Sequence, residues 1–369
     1  MREEIVNAFQ EYFIQLKLEL DVGWFTMDNA SNNVTAMQEL QSLLQAREIE
    51  FDANQHRIMC FPHIVNICVN HIVKSFSDLR MVDAHAWDQA IPDEGTRTAF
   101  VGAVLSDPIA EARGIVRDWE VLGVFEHVLQ IPHVAQQRMS SESLPRLGRA
   151  AAYLELLIYG WDHVGQVDPR AKPFADLGSN KAYEYYRRTD NSDAYVISMF
   201  LDPAFKLDWM EECWSSEAQE SAEELIKKTI CQYRECMPAP VRDSRHGAVR
   251  STLASSFGIK DKTRRRRPQH REKHLDEEYQ AYTSEPLAHE GLDPLKYWEG
   301  KRDTFPTLFA MAMDFMPIQA SSVPSERVFS SAAETNTKKR NRLSSTMLEI
   351  TQILKFGLKK ERLSFVEGW

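Results

Sequence analysis

Strand-forming signal in this chain is confined almost entirely to its first 80 residues. Two short apolar runs, 22–27 (VGWFTM) and 57–60, stand between helical patterns, and from about residue 80 to 290 the strand signal nearly vanishes. Over residues 3–18, Ile5, Phe9, Phe13 and Leu16 recur at spacings of three and four, which predicts a helix. Residues 29–33 supply cap-forming side chains for a second helix through Met37, Leu40, Leu43 and Leu44. Pro62 opens a third, with Ile64, Ile67, His71 and Ile72 facing inward. Helix, strand, helix, strand, helix is the alternation of an α/β layer. Segments 146–161, 175–188 and 216–236 then read as helices, broken by Asp107-Pro108, Asp168-Pro169 and Asp202-Pro203. The fold class expected is therefore α/β and mostly helical, a small strand-containing part interrupted by a long all-α block.

Length and charge sharpen the division. A chain of 369 residues is enough for two to three domains at roughly 150 residues each. Four segments are expected: 1–80 as the α/β part, 81–243 as the helical insertion, 244–290 as a basic polar linker, and 291–369 as a compact C-terminal region. Net charge is -10, which argues against a generic nucleic-acid binder, but 260–274 and 335–363 are each locally +6, leaving about -22 on the rest. Arg264, Arg265, Arg266 and Arg267 form the candidate nucleic-acid contact, or a localisation signal. The longest uncharged run, 58–73, holds His63, Asn66, Asn70 and His71 and is too short and polar to span a bilayer. Five cysteines, at 60, 68, 213, 231 and 236, form no framework and fit reduced thiols. With no signal peptide at the N-terminus, a nuclear or cytoplasmic location is expected.

Three motifs point further. Thr26-Met-Asp28-Asn-Ala-Ser-Asn-Asn33 follows the first strand, and Met59-Cys60-Phe-Pro-His63-Ile-Val-Asn66 follows the second. Phe305-Pro-Thr-Leu308 precedes Ile318-Gln-Ala-Ser-Ser-Val-Pro-Ser-Glu326-Arg327-Val-Phe329-Ser-Ser331 and Lys339-Arg-Asn-Arg-Leu343-Ser. These resemble, in turn, the second catalytic-aspartate segment, the Cys-x-x-His stretch and the C-terminal dimerisation region of hAT-family transposases. The resemblance covers about residues 1–80 and 290–369; between them it rests on helical character and on Phe200-Leu-Asp202-Pro203. It implies a partial ribonuclease H-like core, its last two strands with flanking helices, interrupted by the helical insertion.

In such enzymes two aspartates and a glutamate hold two Mg²⁺ ions that activate the attacking oxygen and stabilise the leaving one. The resemblance makes Asp28 the second aspartate and Glu326 the glutamate, both ancestral metal ligands, with Cys60 and His63 supporting the geometry. It aligns 3–18 with the first helix of the core, leaving three strands and the first aspartate without counterparts. It thus implies a truncated, element-derived chain that lacks strand-transfer activity of its own and takes Mg²⁺ only if the ancestral site is still occupied. The first strand is then expected to present an unpaired edge and to make the chain prone to aggregation.

The retained function implied is homodimerisation through Phe305, Leu308, Phe315, Glu326, Arg327, Phe329, Leu343, Ile350 and Leu354. Three helices are expected here, 304–316, 324–333 and 346–363, and they are too short to bury these side chains alone. Alternatives are an Mg²⁺-dependent nuclease or transposase completed by an upstream segment, and a non-catalytic nucleic-acid-binding protein. DNA is the second partner class; no membrane or small-molecule substrate is expected. Cys60, His63, Cys68 and His71 also invite a zinc reading, but eight helical residues separate Cys60 from Cys68 by about 12 Å, too far for one ion. A core-packing role is expected for that set.

Overall fold

Trp24-Phe25-Thr26-Met27 is aromatic and β-branched enough to favour extended backbone, and the pairing strand is its last three residues, β1 (Phe25–Met27). The computed structural model describes residues 23–77, 87–88, 91–105, 119–139, 146–236, 275–289, 291–323, 325–327, 330–331, 347–348, 350–352 and 355. β1 pairs in parallel with β2 (Arg57–Met59), Phe25 opposite Arg57 and Met27 opposite Met59. Parallel strands require a crossover, here α1 (Ser31–Gln45). Phe25 and Met27 lie against Met37, Leu40, Leu44, Phe51 and Ala53, so α1 covers one face of the pair. Among the described residues these are the two strands, and the sheet holds no third.

α1 stops through local chemistry. Glu48 adopts φ 59°, Glu48 N–H donates to Gln45 O at 3.0 Å, and Ile49 N–H donates to Leu44 O at 3.1 Å. This is a Schellman ending with glutamate where glycine is usual, and Ile49 drops onto the same apolar cluster.

The described residues divide into two compact units. Unit one is drawn from residues up to 146, from 150–192 and from 318 onward; unit two from 147–149 and 193–317. In unit one, α2 (Phe61–Ser77), α3 (Glu94–Leu105), α4 (Trp119–Met139), α5 (Leu147–Val167, after its first three residues) and α6 (Lys172–Tyr186) follow the strands. α2 runs along α6, and Gly178 permits the approach: a Cβ there would sit 2.6 Å from Ile72 Cδ1 and 3.0 Å from the Trp161 ring.

Unit two holds α7 (Ala194–Leu201), α8 (Asp208–Cys213), α9 (Ser216–Cys236), α10 (Leu275–Thr283), α11 (Pro294–Lys301) and α12 (Pro306–Phe315). Its centre is aromatic: the Tyr282 ring lies 5.2 Å from Phe200, 5.1 Å from Trp298 and 5.8 Å from Phe305. The last turn of α7 leaves carbonyls without helical partners; Tyr282 OH donates to Phe200 O at 2.9 Å and Trp298 Nε1 to Leu201 O at 2.8 Å. The expected linker 244–290 therefore ends in structure. α10 falls within it because Tyr279 and Tyr282 are buried anchors in an otherwise polar stretch. The helix expected over 3–18 lies outside the described residues.

Candidate functional site

β1 delivers Asp28 to its C-terminal edge, where the chain turns into α1. Asp28 Oδ1 accepts from Ala30 N–H at 3.0 Å and from Asn33 Nδ2 at 2.5 Å. Arg57 Nη2 and Asn33 Nδ2 both donate to Asp28 O, at 3.1 and 3.2 Å. One carboxylate oxygen thus organises the helix start, while β2 supplies a guanidinium beneath it.

Cys60 is the junction of three segments. Its N–H donates to Met27 O at 2.9 Å, next to Asp28, and its carbonyl accepts from His63 and Ile64 N–H at the start of α2, both at 3.1 Å. Its buried Sγ accepts from Ser322 N–H at 3.4 Å. Ser322 Oγ in turn donates to Glu326 Oε1 at 2.5 Å, and Glu326 N–H donates back to Ser322 O at 2.9 Å. Residues 318–322 are fastened to the same sheet end by Phe61 N–H to Ala320 O at 2.8 Å and Thr26 Oγ1 to Gln319 O at 2.5 Å. Asp28, Cys60, His63 and Glu326, far apart in sequence, are thereby tied to one hydrogen-bonded neighbourhood in unit one. Sequence reading missed the roles of Arg57, whose partner Asp28 is 29 residues away, and of Thr26, Gln319 and Ser322, whose partners are more than 260 residues away.

The Mg²⁺ reading needs a set of hard oxygen ligands. Asp28 Oδ1 and Glu326 Oε1 are each engaged by protein donors. Among the described residues, no three or more His, Cys, Asp or Glu side chains gather to hold a metal ion. The described residues thus do not fit a two-metal site. Burial pushes the Cys68 thiol up to about 12, Lys181 opposing it only in part.

Of the residues expected to dimerise, Phe305, Leu308 and Phe315 are buried inside unit two. Pro306 starts α12 beside them, and Glu278, itself buried, accepts from Leu308 N–H at 3.0 Å to cap that start from α10. Glu326 and Arg327 are exposed. Ile350 is 45% exposed, and Met347, one turn earlier on the stripe, is 50% exposed. Phe329, Leu343 and Leu354, and Arg264, Arg265, Arg266 and Arg267, lie outside the described residues. Residues 323, 325–327 and 330–331, and 347–348, 350–352 and 355, are helical. No helix among the described residues is long and apolar enough to cross a membrane.

Comparison with known proteins matches residues 278–358 to the hAT family C-terminal dimerisation region. Over 174 residues, 44% of this chain, the sequence is 29% identical to the human zinc finger BED domain-containing protein 4. Over 184 residues, 47% of the chain, it is 28% identical to a putative AC transposase and a putative AC9 transposase of Zea mays. The matched stretches span 14%, 23% and 22% of those three proteins, so this chain corresponds to a minor part of each. Residues 278–358 are thus similar to the hAT dimerisation region, and just under half of the chain is similar to two maize transposases.

Proposed function

We propose that this protein acts by self-association through residues 278–358, as a nuclear homodimer. One observation carries the reading. Eleven large apolar side chains are exposed among the described residues, and five of them, Leu287, Leu292, Met313, Met347 and Ile350, fall in this region, about a fifth of the chain. Leu287, Leu292 and Met313 belong to unit two and Met347 and Ile350 to unit one, and exposed apolar side chains such as the Met347–Ile350 pair are what a partner surface removes from water. Met347 and Ile350, spaced one helical turn apart, are the residues to change, whereas Phe305, Leu308 and Phe315 support the fold of unit two.

Analytical ultracentrifugation over a concentration range tests this. The wild-type chain is expected to show a concentration-dependent dimer, and Met347→Glu with Ile350→Glu to weaken it at least about tenfold, with an unchanged circular dichroism melt. A wild-type monomer at every concentration overturns the proposal.

A second reading is favoured by the hydrogen bonds that run from Met27, next to Asp28, through Cys60 and Ser322 to Glu326. In it this neighbourhood descends from a Mg²⁺-dependent phosphoryl-transfer centre, with Asp28 and Glu326 as ancestral ligands, Cys60 and His63 as support, and a ribonuclease H-like core around β1 and β2. Because the described residues assemble no set of three ligands, self-association is preferred.

A further inference from the structure

α5 is held on two sides and exposed on a third. Towards α4, Trp161 Nε1 donates to Val128 O at 2.9 Å, and a Cβ on Gly160 would sit 2.7 Å from Ile131. Towards α6, Asp162 accepts from Ser179 Oγ at 3.0 Å and Glu155 from Tyr186 OH at 2.6 Å. The remaining face carries Leu156, Tyr159, His163 and Val167, whose spacings of three, four and four keep them within one narrow arc of the helix. All four are exposed, Leu156 at 43%, Tyr159 at 53% and Val167 at 71%, and between 156 and 167 no Asp, Glu, Lys or Arg falls in the arc. Exposed Val134, one turn on from Ile131, and exposed Tyr183, its ring 6.3 Å from Tyr186, flank the stripe. These three helices of unit one thus carry five of the eleven exposed large apolar side chains among the described residues. They present on the order of 500 Å² of apolar surface, high in the range of the largest patch on a monomer.

The order along the stripe points to the occupant. Turned end for end, Leu, Tyr, His, Val sets an aliphatic side chain against an aliphatic one at both ends and Tyr159 against His163 in the middle. A two-fold axis near Trp161 therefore pairs the face with itself and sets no charge against its like. Two copies joined there bury on the order of 1,000 Å², the lower end for a specific interface, which suits a weak, concentration-dependent contact.

We infer that this face of α5 is a second self-association surface, where Leu156 of one copy lies against Val167 of the partner subunit. It is independent of the surface proposed within residues 278–358, and with both in use the chain builds assemblies larger than a dimer at high concentration.

Sedimentation of the full chain carrying Met347→Glu and Ile350→Glu isolates the α5 face. A weaker residual dimer is expected, and adding Leu156→Glu and Val167→Glu is expected to weaken it further by at least about tenfold, at an unchanged circular dichroism melt. A residual dimer unmoved by the added changes overturns the α5 face. A monomer in the first variant beside a dimeric wild type also overturns it and upholds the 278–358 surface, whereas a monomeric wild type overturns both. Cross-linking reads the direction. With Cys213, Cys231 and Cys236 changed to Ser, Leu156→Cys protein mixed with Val167→Cys protein is expected to give a disulfide-linked pair that neither gives alone. Val167→Cys linked to itself, or no mixed pair, overturns the two-fold arrangement.

Discussion

Arg149 and Asp202 meet at 2.7 Å with side chains 6% and 4% exposed, and the guanidinium also lies 5.5 Å from the Phe205 ring centre. Removing one charge strands the other in a dry environment. Arg149→Met is therefore expected to cost about 3–5 kcal/mol in urea unfolding, whereas Arg149→Met with Asp202→Leu recovers most of it. Asp202 stood out in the sequence within Phe200-Leu-Asp-Pro203, but its partner 53 positions earlier did not, because charge pairing across that distance leaves no periodic trace. The same holds for Cys60: the motif marked it, yet its acceptor role becomes visible only when Ser322, 262 residues away, is brought to it. Phe305, Leu308 and Phe315 show the opposite ambiguity. Apolar spacing marks a face to be buried without saying whether the same chain or a second copy buries it, and unit two accounts for all three.

At the scale of elements, apolar periodicity carried most of the reading. Both strands, the helix over Ser216–Cys236 and the break before Pro203 follow from local pattern. α10 escaped because two buried tyrosines among charged residues are too few to register as a stripe. The end of α1 was illegible for another reason: nothing in Glu48 signals a left-handed residue, and only the bonds of Glu48 and Ile49 to the preceding turn impose it. Because a Cβ in that conformation is strained, Glu48→Gly is expected to stabilise unit one by about 0.5–1 kcal/mol, read as a higher urea midpoint at unchanged slope.

Across the whole molecule, buried acids govern the alkaline limit. Burial raises the Cys68 thiol from 9.0 to about 12. It also raises Tyr186, Tyr279, Tyr282 and Tyr297 above 10.0, with Glu155, Glu223 and Glu285 between them helping at all four. A group with a raised folded value keeps its proton in the native state after the unfolded chain has lost it. Its stabilisation is complete below the unfolded value and is lost as pH rises toward the folded one. Burial lowers Lys206, which opposes this below 10.5, but it is one group against five. Urea midpoints are expected to hold level from pH 7 to about 8.5 and to fall above about 9; Cys68→Ala moves the onset toward 10. None of this was readable from composition, which counts tyrosines without saying which are dry. The division into units has a consequence for how the chain is made. Unit two is nearly continuous, but Thr26 of unit one waits for Gln319, 293 residues later. At about 5–20 residues per second, the ribosome leaves that strand without its partner for roughly 15–60 s. During that interval the nascent β1 end depends on whatever escorts it, and the stretch from 318 onward acts as the closing stitch, added only after the middle of the protein has emerged.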